Sequence, residues 1–217
     1  MVAERHEAAA APRLILVTDR GYSDDAIVAA VEAAASAVPR GALAVQLRDK
    51  RRPIVELRVF ASRLRVTTRQ AGAMLVINGD ARLAHDVGAD GVHLGGDAIS
   101  IAAARSICGP GAWISIAAHS DAAVRAAAAQ GANAALVSPI FATAKKPPRG
   151  IEALASARAI AESAKSALLL YALGGVTPAL ARRCVQAGAY GMAAIRALLA
   201  APSPAAEARA FLAAMDL

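Results

Sequence analysis

The sequence is poor in aromatic residues and in cysteine, and it has no long apolar run. Only 3% of the 217 residues are aromatic, and the two cysteines are Cys108 and Cys184. Their number and spacing fit neither a disulfide scaffold nor a zinc or redox motif, so we interpret them as structural thiols. No apolar run approaches the roughly 18 residues that a membrane span needs. The sequence predicts a cytoplasmic protein without a membrane partner.

Acidic residues are the minority among the charged ones. The chain has 17 acidic residues against 24 Lys and Arg, which gives a net charge of +7. Nucleic-acid-binding proteins usually gather such charge on one face and add aromatic residues for stacking. Here the arginines are dispersed, and the two denser spots, 48–52 and 145–149, are short. This pattern favours a small phosphorylated partner and disfavours a nucleic acid.

The apolar content of 57% is ample for one hydrophobic core in a chain of this length. Residues 1–12 are rich in alanine and carry charges of both signs, without the ordered regions of a signal peptide. We therefore predict a flexible tail over 1–12. No linker or change of composition follows, so residues 13–217 are predicted to form a single domain.

A Gly-Ala pair recurs between predicted helices and the apolar runs that follow them. Glycine is favoured just past a helix end because it adopts positive φ without strain. The recurrence therefore predicts alternating helices and strands on a parallel sheet. Eight strands are predicted, near 14–18, 43–48, 74–77, 91–94, 112–116, 134–138, 168–173 and 190–195. This count favours a (β/α)8 TIM barrel, with an open doubly wound sheet as the alternative because sequence does not show closure.

Polar residues cluster at the predicted strand ends, where (β/α)8 barrels carry their active sites. Gln46, Arg48 and Lys50 alternate and so project to one side, with side chains suited to a phosphate or pyrophosphate. A solvated strand end is the other interpretation. Gly174 and Gly175 precede a predicted helix start, where free N–H groups favour an anion.

Three histidines have different surroundings in the sequence. His119 follows the fifth predicted strand, but a lone histidine is more often structural, and its position alone does not decide its role. His85 and His93 are flanked by apolar residues, which favours packing.

Six segments of the chain match family motifs in order and spacing. They are LVTDR (16–20), VQLRDK (45–50), VINGDARLAHDVGADGVHLGG (76–96), SPIFATAKK (138–146), ALGGVT (172–177) and QAGAYGMAAI (186–195). With these motifs, residues 14–199 resemble the thiamine phosphate synthase/TenI family. The resemblance implies a (β/α)8 barrel and a role in thiamine biosynthesis.

The resemblance also implies roles for particular residues. It assigns Gln46, Arg48 and Lys50 to a pyrophosphate, assisted by Asn78 and Lys146. The expected contacts to the phosphate of a thiazole phosphate are Thr143, Gly174, Gly175, Ile195 and Arg196. Arg196 stands where the family has a serine, so its role at that phosphate is open.

This sequence departs from the synthase pattern where Mg²⁺ is bound. Gly79 and Ala98 stand at the positions of the two metal carboxylates. Neither can ligate a cation that needs oxygen ligands. Asp80 and Asp97, each one residue away, are the remaining metal candidates, although a one-residue shift usually redirects a side chain.

TenI-type members of the family have Asn-Gly at the first metal position, as Asn78-Gly79 does here. They are thiazole tautomerases, which transfer a proton without Mg²⁺. We therefore favour a tautomerase that binds a thiazole phosphate, with His119 as acid/base and Lys146 as a second catalytic candidate. The alternatives are an Mg²⁺-dependent synthase that joins pyrimidine pyrophosphate and thiazole phosphate, and a barrel that binds phosphates without catalysis. A homodimer is left open. An unrelated aldolase or isomerase barrel is disfavoured.

Overall fold

The structure is a computed structural model that describes residues 11–96, 98–143 and 147–216. Two candidate site residues, Asp97 and Lys146, lie outside the described residues. So do residues 1–10 of the predicted tail.

Eight parallel strands form a closed barrel, and helices lie between them in sequence. The strands are β1 Leu14–Val17, β2 Leu43–Leu47, β3 Met74–Asn78, β4 Gly91–Leu94, β5 Trp113–Ala118, β6 Ala134–Val137, β7 Leu169–Leu173 and β8 Gly191–Ala194. The helices are α1 Asp24–Ser36, α2 Ile54–Ala71, α3 Ala81–Asp86, α4 Ile101–Cys108, α5 Asp121–Ala129, α6 Glu152–Ser163, α7 Pro178–Gln186, α8 Arg196–Leu199 and α9 Pro204–Met215. Each strand pairs with the next, and β8 pairs with β1. The (β/α)8 prediction is confirmed, and the open sheet is wrong.

The recurring Gly-Ala pair leads the chain from a helix into the next strand. Before β4, β6 and β8 the glycine has positive φ, between 61° and 109°. The residue after the pair then donates its backbone N–H to the preceding strand: Asp90 to the Leu75 carbonyl, Asn133 to Ile114 and Tyr190 to Leu170, at 2.7–2.9 Å. The repeat therefore sets the register of three strands. The Asp90 and Asn133 side chains also accept the backbone N–H of Leu75 and Ile114.

Alternation along the strands divides the core into two layers. Residues such as Leu14, Leu16 and Val45 face the helices. A smaller cluster fills the barrel interior and comprises Ile15, Val17, Ala44, Ala134, Leu136, Tyr171 and Ala193. No helix of the described residues is long and apolar enough to cross a membrane.

Three aromatic residues gather at the amino-terminal end of the barrel. Tyr171 packs edge-on against Trp113 and Tyr190, with ring centroids 6.5 and 5.7 Å apart. The Tyr171 hydroxyl donates to the Pro12 carbonyl, and the Tyr190 hydroxyl donates to Ala11. These contacts hold residues 11–12 against the amino-terminal end of the barrel. Toward the opposite end the interior becomes polar, and this change positions the candidate site.

Candidate active site

Four neighbouring strands place polar side chains inside the carboxyl end of the barrel. Gln46, Asn78, His93 and Ser115 come from β2, β3, β4 and β5, and register pairs Asn78 with His93 and His93 with Ser115. Gln46 Nε2 donates to Asn78 Oδ1 at 3.2 Å. His93 Nδ1 lies 2.9 Å from Ser115 Oγ. The structure thus brings Gln46 and Asn78 together with His93, for which the sequence favoured packing, and with Ser115, which the sequence did not single out.

His93 belongs to this polar row, although the sequence favoured a packing role. Its ring is almost fully buried, and its pKa is lowered to about 4. Burial is the main cause, and electrostatic interactions with Arg48, His119 and Lys50 add to it. One signal could have found this residue. His93 alternates with Gly91 on the face of β4 that points into the barrel. In register it lies beside Asn78, the last residue of the neighbouring strand β3.

Arg48 and Lys50 lie just beyond the end of β2, on a segment with fixed backbone geometry. Thr18 Oγ1 accepts the backbone N–H of Arg48 at 2.8 Å, and the Thr18 N–H donates to Gln46. Arg52 then anchors the loop by ion pairs with Asp24 at 2.8 Å and with Asp49 at 3.3 Å.

The side chains of Arg48 and Lys50 have no hydrogen-bond partner among residues 11–96, 98–143 and 147–216, in contrast to the backbone around them. Both charges lower the pKa of His93, so both lie close to the polar floor of the barrel. Two cations on an ordered segment, neither of them in an ion pair with a carboxylate of the described residues, form a site for an anionic ligand.

His119 lies at the rim, directly after β5. Its side chain is exposed, and Nδ1 lies 3.0 Å from the Ser138 carbonyl oxygen and 3.2 Å from Ser138 Oγ. Ser120 begins α5 as the N-cap. The ring therefore has a defined orientation at the mouth, next to the loop that follows β6.

Gly174 and Gly175 allow the β6–α6 loop to cross closely over the end of β7. The N–H groups of Ile140 and Phe141 donate to the carbonyls of Leu173 and Gly174, both at 2.9 Å. A Cβ on Gly174 would lie 2.8 Å from Pro139 Cα, and one on Gly175 would lie 2.9 Å from the Ala142 carbonyl oxygen. Both glycines also have positive φ. Close passage of this loop is thus a structural reason for the Gly-Gly pair, in addition to any phosphate contact.

The remaining predicted phosphate contacts lie on the adjoining loops. Thr143 is on the β6–α6 loop, Ile195 follows β8, and the exposed Arg196 is the first residue of the short helix α8. A short extra helix after the eighth strand, next to the loop after the seventh, is a common phosphate site in barrels of this type. The residues predicted to contact the phosphate therefore lie on loops that adjoin a location suited to phosphate binding.

The described residues do not fit an Mg²⁺ ligand set. Gly79 and Ala98 have no donor, and Asp80 Oδ1 caps α3 by accepting the Leu83 N–H at 2.8 Å. Within the described ranges, no group of three or more His, Cys, Asp or Glu side chains could hold a metal ion. Asp97, the other candidate, lies outside those ranges. The structure gives no support to Asp80 as a ligand.

The low pKa of His93 predicts a contribution to acid sensitivity. Below its unfolded pKa of about 6.5, the unfolded chain binds a proton that the folded protein accepts only near its folded pKa of about 4. The neutral His93 therefore has its full contribution to the free energy of unfolding above about pH 6.5. This contribution is lost as the pH falls toward 4. The difference corresponds to about 3 kcal/mol in the free energy of unfolding. Urea unfolding from pH 7 to pH 4 should show a shallower decline for His93→Gln than for the wild type. Parallel declines would contradict this prediction.

Comparison with known proteins identifies the relatives of this chain. Residues 14–198 match the family described as thiamine monophosphate synthase (TMP-TENI). The chain belongs to this family. It is 37% identical to a putative thiamine-phosphate synthase of Geobacter sulfurreducens over 92% of both chains. It is 40% identical, over 79% of its length, to the thiamine biosynthesis bifunctional protein ThiM/ThiE of Symbiobacterium thermophilum. That match spans only 36% of the bifunctional protein.

A solved structure agrees with the sequence relatives. The thiamine phosphate pyrophosphorylase of Pyrococcus furiosus superposes with a TM-score of 0.80 at 27% identity, over 94% of this chain and 95% of that one. The predicted family and fold are confirmed. The preference for a tautomerase receives no support, since the Geobacter relative is named a putative thiamine-phosphate synthase and the solved structure is named a thiamine phosphate pyrophosphorylase.

Proposed function

We propose that this chain is a thiamine-phosphate synthase, a transferase that joins an aminopyrimidine diphosphate to a thiazole phosphate. The names of two relatives, a putative thiamine-phosphate synthase and a thiamine phosphate pyrophosphorylase, support this reaction. The structural observation that carries the proposal is the position of Arg48 and Lys50, two cations that border a buried polar floor at the barrel mouth.

In this reaction the bond between the pyrimidine methylene carbon and the diphosphate oxygen breaks, and diphosphate leaves with the electron pair. The thiazole nitrogen then attacks the resulting carbocation. Negative charge builds up on the leaving group, so fixed cations beside it lower the barrier. Arg48 and Lys50 are the residues proposed for this role. Gln46 and Asn78 form the neutral floor below them.

The thiazole phosphate is proposed to bind on the β7–β8 side of the mouth. Thr143, Gly175 and the backbone at Ile195 adjoin there, and Arg196 begins α8 at the same edge. In this arrangement the thiazole ring would lie across the mouth from Arg48 and Lys50. Arg196 would add a positive charge where the phosphate is held.

Mg²⁺ is the cofactor implied for the synthase branch, and the described residues do not fit it. The proposed charge compensation therefore depends on basic side chains. Whether the reaction needs Mg²⁺ is measured directly by titrating the ion into the assay with both substrates present. Under the synthase proposal, product forms at one or more Mg²⁺ concentrations.

The experiment that tests the proposal supplies purified protein with each candidate reaction separately. The first mixture contains aminopyrimidine diphosphate and thiazole phosphate, and the second contains the carboxythiazole phosphate tautomer. We expect thiamine phosphate in the first and little isomerisation in the second. Isomerisation that is lost in His119→Ala, with no thiamine phosphate formed, would instead establish the tautomerase. Saturable binding without either product would establish a non-catalytic barrel.

A further inference from the structure

Exposed apolar side chains concentrate on the outer face of α2. Among the described residues, five large apolar side chains are exposed, and four of them belong to this helix. Val55, Val59 and Val66 are 72%, 68% and 57% exposed. With the exposed Ser62 they recur at intervals of four, three and four residues. These four residues, the α2 stripe, lie opposite the side of the helix that packs on the barrel.

The composition and spacing of the α2 stripe indicate packing against another helix. Valine has a lower helix propensity than Ala, Leu or Lys, so an exposed helical position gains nothing from it unless the side chain is covered. Intervals of four, three and four residues are those of the core positions in a two-helix coiled coil. No part of the chain that the structure describes covers the stripe, so its partner lies outside this chain.

The α2 stripe is complementary to itself. Its intervals read the same in both directions along the helix. Two copies that cross antiparallel therefore place Val55 opposite Val66 of the second copy and Val59 opposite Ser62. The small Ser62 leaves room for Val59 and lets the two helices approach closely at the centre. Such self-complementarity is what a two-fold symmetric interface requires.

The charges beside the α2 stripe fit the same arrangement. Glu56 and Arg63 border one side, and antiparallel pairing brings Glu56 of each copy next to Arg63 of the other. Arg63 also pairs with Asp25 of its own chain at 2.6 Å, but a guanidinium has five N–H donors and can serve both carboxylates. On the other side, Arg58 and Arg65 are each paired with an aspartate of the same chain, which reduces their repulsion across the interface.

We propose that two copies of this chain form a homodimer through antiparallel pairing of their α2 stripes about a two-fold axis. Helix α2 has 18 residues and so is about 27 Å long. A helix pair of this length buries about 1,000 Å², near the lower limit for a specific interface. The dimer should therefore be reversible and form at micromolar concentrations. It is independent of the reaction that the barrel catalyses.

Val59→Lys tests the contact at the centre of the interface. Sedimentation velocity of the wild type from about 1 to about 500 μM should show a monomer–dimer equilibrium, as expected for an interface of this size. Val59→Lys places a positive charge beside Ser62 and Arg63 of the second copy, and we expect self-association at least about 100-fold weaker. Lysine has the higher helix propensity, so the variant should fold. Ile99→Lys, the same change at an exposed site outside α2, should dimerise like the wild type.

A mixing experiment tests the antiparallel orientation. Glu56→Arg or Arg63→Glu alone puts like charges opposite each other twice in every dimer, and each variant should associate at least about tenfold more weakly than the wild type. An equimolar mixture of the two variants restores both attractive pairs in the heterodimer. We expect the mixture to dimerise with nearly the wild-type Kd.

Four results would overturn the proposal. The first is a wild type that stays monomeric over the whole concentration range, which would assign the α2 stripe to a different protein. The second is dimerisation of Val59→Lys as tight as that of the wild type, and the third is an equal loss in Ile99→Lys. The fourth is a mixture of the two charge variants that associates no better than either variant alone.

Discussion

Replacing Arg48 with methionine should lower kcat/KM for thiamine phosphate formation by about 10²- to 10³-fold. This is the loss typical of removing one group that stabilises developing negative charge in a transition state. Methionine keeps the apolar stem, and the backbone N–H that binds Thr18 is unaffected. The fold should therefore be retained while the cation beside the leaving diphosphate is lost.

Arg51→Met is the matched control for this loss of charge. Arg51 lies three residues further along the same loop and is exposed, and its backbone N–H binds Asp49. The control removes one positive charge from the same loop, so its effect should be confined to a few-fold change from long-range attraction. Steady-state kinetics with both substrates give the comparison. Similar losses in the two variants would show that general positive charge, and not a specific contact by Arg48, is what matters.

Gly174→Ala should destabilise the protein strongly and weaken thiazole phosphate binding. The new methyl group would lie 2.7 Å from Pro139 Cβ at a residue with φ of 98°. Backbone strain of about 1–2 kcal/mol and overpacking of about 1–3 kcal/mol together predict a loss of about 2–5 kcal/mol in the free energy of unfolding. Since the β6–α6 loop is displaced, KM for thiazole phosphate should rise at least about tenfold.

Gly109→Ala isolates the backbone contribution. Gly109 has nearly the same φ, 97°, but an added Cβ would meet no atom within 4 Å. Gly109 has ψ of 160°, a region that is essentially restricted to glycine. We therefore expect this control to lose about 1–3 kcal/mol and to keep the wild-type KM. Urea unfolding and substrate titration of both variants check the prediction. If Gly109→Ala loses as much stability and affinity as Gly174→Ala, the close approach of Pro139 is not what requires glycine after β7.

The fold was predictable because local and global signals agree. The Gly-Ala pairs end helices and begin strands, and the structure shows them setting the register before β4, β6 and β8. The eighth strand is Ala-rich and has weak strand propensity. It forms at Gly191–Ala194 because β7 and β1 pair with it on either side. Closure itself could not be read from the sequence, since it depends on this last pairing.

The site was predictable only where spacing along one strand was sufficient. Alternation placed Gln46, Arg48 and Lys50 on one side of the chain, and the structure locates all three at the mouth. Ser115 was not found, and His93 was assigned to packing, because their environment is created by neighbouring strands. Apolar flanking residues correctly indicated burial of His93. They gave no information on the polar partners that burial would bring.

The most direct test of the proposed synthase reaction is the joint release of two products by the purified wild-type protein. Aminopyrimidine diphosphate and thiazole phosphate are mixed with the enzyme, and thiamine phosphate and inorganic diphosphate are quantified over time across a Mg²⁺ titration. For a synthase, both products should appear in a one-to-one ratio. Absence of thiamine phosphate at every Mg²⁺ concentration, or diphosphate release without it, would contradict the proposal that this barrel is a synthase.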